Sequence, residues 1–217
     1  MITRSLAVGL FLFLSGLTFV SAQENIHSSG YWIGISADKK VIKKVKWKGG
    51  LELRTNYYLG EVQNAFIQNG LTYKVSKKVD AQFIYRLAFK SPFFIHRFDG
   101  RLSYEKKVAK RTYLEGTLKF QHQSTDLSGV WEQRLRSKIG IERKIKKRDL
   151  YPNASLELFL NRNFEYTNFD AYRFTIGMKY NLTKDHSISF DYFRDAEFHV
   201  TNPSTEHILA LNLSVDL

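Results

Sequence analysis

The stretch that decides the fold reads Trp47-Lys-Gly-Gly-Leu-Glu-Leu-Arg-Thr55. Its odd-numbered positions are mainly apolar, whereas its even-numbered positions include Lys48, Glu52 and Arg54. Successive side chains of a β-strand point to opposite faces, so this alternation predicts a strand with one apolar and one charged face. The glycine pair inside it is interpreted as a thinned or bulged point of that strand.

The same period of two continues from residue 30 to the C-terminus. It defines eleven predicted segments, near residues 30–37, 45–56, 64–75, 81–90, 94–105, 111–122, 130–145, 150–160, 170–182, 186–196 and 206–217. Most of them exceed the five or six residues common in globular strands, and they match the roughly 9–11 residues that cross a bilayer with tilt. The pattern therefore favours membrane-crossing strands.

The connections between these segments alternate in length. Short basic turns fall at 38–44, 76–80, 106–110, 146–149 and 183–185, and mostly longer loops at 57–63, 123–129, 161–169 and 197–205, with 90–93 a short exception. This alternation is typical of outer-membrane barrels, whose short turns are periplasmic. Such barrels have an even strand number, which predicts either a further strand within 23–29, giving 12, or exclusion of segment 30–37, giving 10.

The N-terminus resembles a secretory signal peptide. Arg4 precedes an apolar run over residues 6–20, and Val20-Ser21-Ala22 supplies small residues for cleavage after Ala22. The apolar run is shorter than the roughly 20 residues of a spanning helix. We therefore expect a signal peptide at 1–22 and a barrel domain at 23–217. The absence of cysteine excludes a lipid anchor and a disulfide framework, and no metal or other cofactor is expected.

A soluble β-sandwich or lipocalin would also alternate, with its apolar face inward. Aromatic residues near the strand ends and mixed charges on nearly every polar face favour the membrane alternative, because they correspond to interfacial girdles and a polar lumen. The predicted fold is all-β, an antiparallel up-and-down transmembrane β-barrel of 10–12 strands, preceded by a cleaved signal peptide. The predicted location is the bacterial outer membrane.

Short motifs along the chain carry a family resemblance. They are Arg134-Leu-Arg-Ser-Lys-Ile-Gly-Ile-Glu-Arg143, Tyr151-Pro-Asn-Ala-Ser-Leu-Glu-Leu-Phe159, the strand from Arg173 through Gly177 to Tyr180, the segment 189–194, the final strand at His207, and Trp32 and Arg54 near the start. Together they resemble an uncharacterised outer-membrane barrel family that is common in Bacteroidetes and is described only as a domain of unknown function. The resemblance implies fold and location, and it carries no activity or functional residues.

The polar faces of the strands predict a charged lumen. The residues expected to point inward are Glu52, Arg54, Arg86, Arg97, Asp99, Arg101, Glu115, Arg134, Arg136, Glu142, Glu157, Arg173 and Asp191. Barrels of 8 strands are filled by side chains and those of 16 or more hold a channel, so an intermediate barrel allows both outcomes. The two hypotheses are a lumen closed by ion pairs and a narrow, weakly anion-preferring pore.

The net charge of +12 is concentrated in the short turns. The predicted periplasmic basic rim comprises Lys39, Lys40, Lys43, Lys44, Lys77, Lys78, Lys106, Lys107, Lys146, Lys147 and Arg148. A ring of cations at one rim differs from the charged groove of a nucleic-acid binder, so no nucleic acid is expected. The rim is interpreted as solvated turns, as contacts to anionic outer-membrane lipids, or as a surface for an acidic periplasmic partner.

Catalytic motifs are sparse. None of the six histidines has zinc-protease spacing, and His122-Gln-Ser124 has the His-x-Ser spacing of outer-membrane phospholipase A. Such a serine needs a base within hydrogen-bond reach and a third orienting group. We expect a non-enzymatic structural or ligand-binding envelope protein, with a small passive pore and an envelope lipid hydrolase as alternatives. Its expected partners are outer-membrane lipids and, during biogenesis, the barrel-assembly machinery.

Overall fold

The computed structural model describes residues 26–56, 61–126, 131–146, 148–162 and 167–217. Each of the eleven predicted segments corresponds to one strand. The strands are β1 Ile26–Ile42, β2 Val45–Asn56, β3 Val62–Lys74, β4 Val79–Lys90, β5 Phe93–Ala109, β6 Thr112–Thr125, β7 Trp131–Arg143, β8 Leu150–Arg162, β9 Thr167–Asn181, β10 His186–Glu197 and β11 Ser204–Asp216. The predicted signal peptide and its cleavage site lie outside the described residues.

The strands close into one barrel in which sequence neighbours pair antiparallel. Closure joins β1 to β11 in parallel, from Ile26 opposite Ser204 to Asp38 opposite Asp216. The predicted barrel fold is confirmed, but the expectation of an even strand number is wrong for the described residues. The segment at 30–37 is the centre of a 17-residue strand that joins the wall without a twelfth partner. An odd number of up-and-down strands can close only through such a parallel seam.

The seam is also held by side chains inside the barrel. The Ser36 and Ser214 hydroxyls lie 2.9 Å apart, and the Asn212 amide donates to both of them at 3.2 and 2.8 Å. Side-chain hydrogen bonds thus join the first and last strands in addition to the backbone ladder.

The apolar face of the wall points outward. Ile33, Leu51, Phe83, Ile139 and Ile176 are each about half exposed or more. Their strand neighbours on the other face, such as Glu52, Lys138 and Thr175, point into the lumen. This orientation is the reverse of a lipocalin, so the soluble alternative is wrong and the barrel is of the transmembrane type. Among the described residues there is no helix long and apolar enough to cross a membrane.

One rim carries the connections β1–β2, β3–β4, β5–β6, β7–β8 and β9–β10, together with the C-terminal residue. Two predicted turns are shorter than expected, because Lys39 and Lys40 belong to β1 and Lys106 and Lys107 belong to β5. The antiparallel ladder continues through these lysines, with Lys39 opposite Trp47 and Lys107 opposite Tyr113. The peptide groups of these lysines form hydrogen bonds within the β-ladder, and their side chains reach solvent. A lysine-rich stretch at the rim can therefore be strand rather than turn.

At this rim, the first glycine of the Gly49-Gly50 pair makes room for an aromatic ring. A Cβ on Gly49 would lie 2.5 Å from the Trp47 ring, which covers that glycine, and the Trp47 indole donates to Asn69 Oδ1 at 2.6 Å. The ladder keeps its register through both glycines, with Gly49 opposite Asn69 and Gly50 opposite Gln68. The pair is therefore a thinned point of β2 without a bulge, and Trp47 lies flat against the outer wall.

Candidate functional site: the charged lumen

The lumen contains a cavity of about 630 Å³. Its lining comes from every strand except β3, and most of the lining side chains are charged or polar. Cavities of roughly 300–1,000 Å³ are the usual size of small-ligand sites. The barrel interior is therefore a polar compartment of ligand size.

The charges that line the cavity are segregated by strand. The basic wall, from β4 to β7, contributes seven cations to the described lining and no carboxylate: Arg86, Arg97, Arg101, Lys119, Arg134, Arg136 and Lys138. The acidic wall, from β8 to β11, contributes Glu157, Asp170, Asp191, Asp195, Glu197 and Glu206 against the single cation Arg173. A cavity with walls of opposite sign has a transverse electric field across its lumen.

One ion pair joins the basic wall to the acidic wall, and a second lies within the acidic wall. Arg136 on β7 donates from Nε and Nη2 to the Glu157 carboxylate on β8 at 2.9 and 2.5 Å, and both side chains are about 90% buried. Arg173 on β9 forms the same two-pronged contact with Asp195 on β10. Forked contacts of this kind are strong and directional. The first therefore fixes the basic wall to the acidic one, and the second braces the acidic wall itself.

Aromatic rings inside the lumen support the guanidinium groups. The Arg54 guanidinium lies 3.6 Å from the Trp32 ring centre and 4.4 Å from that of Phe66. Arg136 lies 4.3 Å from the Phe159 ring, and Arg173 lies 5.0 Å from Trp32. Cation–π contacts of this length hold the arginine heads in place while leaving N–H groups for another partner. The lumenal rings thus pre-organise the cationic groups.

Several polar atoms of the basic wall have no hydrogen-bond partner in the described structure. They are the Nε atoms of Arg86, Arg97 and Arg101, together with Asp99 Oδ1. Arg97 Nε lies 3.3 Å from Asp99 Oδ1, which makes an ion pair without hydrogen-bond geometry. Lys119 is 7% exposed and makes no ion pair with any described carboxylate. Unpartnered buried donors of this kind need an explanation, since native proteins bury few of them.

Ten of the thirteen residues expected in the lumen line this cavity. Asp99 is buried behind it against Arg97, and Glu115 and Glu142 line a second cavity of about 250 Å³ on the short-turn side. Sequence reasoning missed Lys119, Lys138, Asp170, Asp195, Glu197 and Glu206. Alternation already placed Lys119 and Lys138 on polar faces, so the signal for these two was present. The register shift at Phe159/Leu160 obscured Asp170, whereas Asp195, Glu197 and Glu206 keep the alternation of their own strands and could have been found.

The predicted basic rim lies at the short-turn end. Lys43, Lys44, Lys77, Lys78, Lys146 and Arg148 occupy turns, and Lys147 lies outside the described residues. Exposed aliphatic side chains are interleaved with them, among them Ile42, Val75, Val108 and Leu182. A hydrogen bond with Tyr151 raises the pKa of the neighbouring Lys144 above its usual value. The rim therefore combines permanent positive charge with apolar side chains.

The His122 and Ser124 pair lies on the outward face of β6, where Ser124 is directly opposite His96 of β5. Ser124 Oγ and His122 Nδ1 have no hydrogen-bond partner, and the His122 ring stacks on Trp131 at 4.3 Å. His96 Nδ1 lies 2.8 Å from the Tyr85 hydroxyl. The pair faces the lipid side of the wall, but the hydrogen bond between nucleophile and base that hydrolysis requires is not formed.

Comparison with protein families gives a match over most of the chain. The family model described as "Protein of unknown function (DUF2490)" matches residues 29–206, which covers the wall from β1 into β11. No curated protein matches the chain.

Proposed function

Since this chain belongs to the DUF2490 family of proteins of unknown function, we propose that it is an outer-membrane barrel whose lumen binds a small solute carrying both positive and negative groups. Membership confirms the resemblance to an uncharacterised barrel family, and the Bacteroidetes origin stays a prediction. The role is that of a binding protein of the envelope, without catalysis.

The observation that carries this proposal is the segregation of charge across a cavity of ligand size. A lumen that only needed to close itself would alternate acids and bases so that each charge met its opposite across strands. Here like charges adjoin on the basic wall, with Arg86 opposite Arg97 and Lys119 opposite Arg136. A solute with an anionic and a cationic end would neutralise charge on both walls at once, and the two walls would fix its orientation.

The outer surface of the barrel supports a location in the outer membrane. The outward apolar band needs lipid, and the lysines of the short-turn rim would meet the anionic headgroups of the inner leaflet, at about 1 kcal/mol per charge. The interleaved aliphatic side chains favour headgroup contact over a purely solvated rim or an acidic periplasmic partner. The barrel-assembly machinery is the proposed partner during insertion.

Trp32 provides a direct test, because it is the tryptophan that lines the cavity, and the chain has three in all. In the refolded mature chain carrying Trp47→Phe and Trp131→Phe, Trp32 fluorescence should change saturably with zwitterionic amino acids. Mannitol, a neutral polyol of similar size, should produce no saturable change. Titration of both solutes in detergent micelles would measure this difference.

Two outcomes would contradict binding. An equal, unsaturable response to both solutes would mean that the ion pairs seal the lumen and the barrel is structural. Discrete conductance steps of the same preparation in a planar bilayer would favour the passive pore, with the basic wall setting a preference for anions. Insertion would be verified by heat-modifiable gel mobility in each case.

A lipid hydrolase is the second candidate, and one observation favours it: His122 and Ser124 face the membrane rather than the lumen. Because their side chains do not form a hydrogen bond, we expect Ser124→Ala to leave phospholipid hydrolysis at the background of the wild-type barrel. Release of fatty acid from phosphatidylglycerol vesicles would measure it, with Ser137→Ala on the same outer face as a control. Wild-type hydrolysis that disappears only in Ser124→Ala would make the protein a hydrolase.

A further inference from the structure

We propose that Arg101 and Lys119 form a binding site for the phosphate group of a small solute inside the barrel. This inference rests on the proposed ligand-binding function and names the chemistry of the anionic end. The proposed site lies on the basic wall, where Arg101 and Lys119 are directly opposite each other on neighbouring strands. The ligand class is a phosphate monoester or inorganic phosphate.

The register brings three cations into one row. Arg101 on β5 is opposite Lys119 on β6, and Lys119 is opposite Arg136 on β7. Directly opposed side chains on one face of a sheet have Cβ atoms about 4.5–5.5 Å apart, and like charges at that spacing destabilise the sheet. All three residues line the same cavity. The row therefore concentrates positive charge at one point of the lumen.

The other cations near Arg101 and Lys119 already have side-chain partners. Arg136 is held by Glu157, and Arg97 is paired with Asp99. Arg86 donates to Gln68 and lies 3.8 Å from Glu52. Each of these guanidinium groups thus has a side-chain partner in the barrel, and Arg134 donates to Asn161 Oδ1 at 3.0 Å.

Arg101 and Lys119 are the cations of this wall that lack such a partner. Neither makes an ion pair or a side-chain hydrogen bond with a described residue, and Arg101 Nε is buried without a partner. Lys119 is more than nine-tenths buried and lines the cavity. Two neighbouring cations of the described wall therefore remain without a side-chain partner.

The unbalanced charge defines the ligand. Burying a cation without a counter-ion is unfavourable, so a matching anion would stabilise this part of the wall. Two unmatched positive charges call for about two negative ones, and a phosphate monoester carries roughly −1.5 to −2 at pH 7. A planar guanidinium and a compact ammonium together are the donor set that phosphate binders use. A single carboxylate would neutralise only half of the pair.

Calorimetric titration of the refolded mature chain with inorganic phosphate at low salt tests the site. The wild type should bind one phosphate, and Lys119→Met should weaken binding by at least about tenfold, as expected for loss of a charge-assisted contact. Acetate should bind more weakly than phosphate. Sulfate, which is also a tetrahedral dianion, should compete with it.

The matched control is Lys138→Met. Lys138 lines the same cavity and carries the same charge, but its ammonium lies 3.3 Å from the Glu115 carboxylate. If Lys119 acted only through the net charge of the lumen, the two variants would lose affinity equally. We expect less than about a threefold change for Lys138→Met. Lys119→Arg, which keeps the charge, should bind within a few-fold of the wild type.

A stability readout separates a binding role from a packing role. Without phosphate, Lys119→Met should be at least as stable as the wild type, because it removes an unmatched buried charge. With phosphate, the wild type should gain stability and Lys119→Met should gain much less. The proposal is overturned by a wild type that does not bind phosphate, or by Lys119→Met binding as tightly as the wild type. If zwitterionic amino acids still bind in that case, the phosphate site fails and the ligand-binding lumen stands.

Discussion

Replacing Glu157 with Gln should lower the free energy of unfolding of the barrel by about 3–5 kcal/mol, because removing one member of a buried ion pair leaves the other charge uncompensated. The amide oxygen could still accept one hydrogen bond from Arg136, but the guanidinium would lose its counter-ion and be left with a 3.5 Å contact to Gln121 and the stacking on Phe159. Urea unfolding in lipid vesicles, followed by tryptophan fluorescence and gel mobility, would measure the loss. The double variant Arg136→Met with Glu157→Leu should recover much of it.

The control for this experiment is the exposed pair at the rim. Lys144 Nζ lies 3.5 Å from Asp149 Oδ1, and both side chains are largely in solvent. Solvent-exposed pairs contribute little, so Asp149→Asn should unfold like the wild type. An equally small effect for Glu157→Gln would show that water reaches the lumenal pair and that the basic and acidic walls are not fixed by it.

Placing a charge on the outer wall should be nearly as damaging. Ile176 is 53% exposed and lies between Phe174 and Met178 in the outward row of β9, with Tyr180 toward the short-turn rim. Because this row faces hydrocarbon, Ile176→Arg should cost about 2–4 kcal/mol in vesicles. In a water-soluble barrel the same exposed substitution would change stability by only about 0.5 kcal/mol or less.

A substitution at the rim, away from the middle of the apolar band, provides the control for Ile176→Arg. Val75 is similarly exposed but lies in the turn between β3 and β4, where charged residues are tolerated. Val75→Arg should therefore cost about 0–1 kcal/mol. Equal unfolding free energies for the two variants would mean that the outward apolar face does not lie in lipid.

Alternation was enough to predict the strands because a half-buried strand must repeat with period two, and the predicted segment 45–56 coincides with β2. It could not predict how β1 closes the ring, since side-chain alternation carries no information about the direction of a neighbouring strand. The extra length of β1 and β5 was missed because lysines such as Lys106 suggest solvated turns. The rim end of a strand exposes such lysine side chains to solvent equally well.

The period-two alternation was also enough to predict that individual residues such as Arg136 and Glu157 point inward. Their partners could not, because pairing depends on register, and one register shift changes which residues meet. The segregation of cations from carboxylates became visible only when each lining residue was assigned to a strand of the closed ring. Lys119 is the clearest example, since its significance lies in the cations opposite it rather than in its own sequence context.

The parallel seam sets the order of assembly. All other neighbouring strands in the barrel are also neighbours in the sequence. At the seam, by contrast, Ser36 and Ser214 are 178 residues apart in the chain. Contacts of such separation are the slowest to form, and parallel ladders are slightly weaker per residue than antiparallel ones. Until they join, β1 and β11 are two open sheet edges, each a template for a foreign strand. We therefore expect the ring to be completed by the zipping of two strands that run in the same direction, and local opening of the finished ring to begin at the same seam.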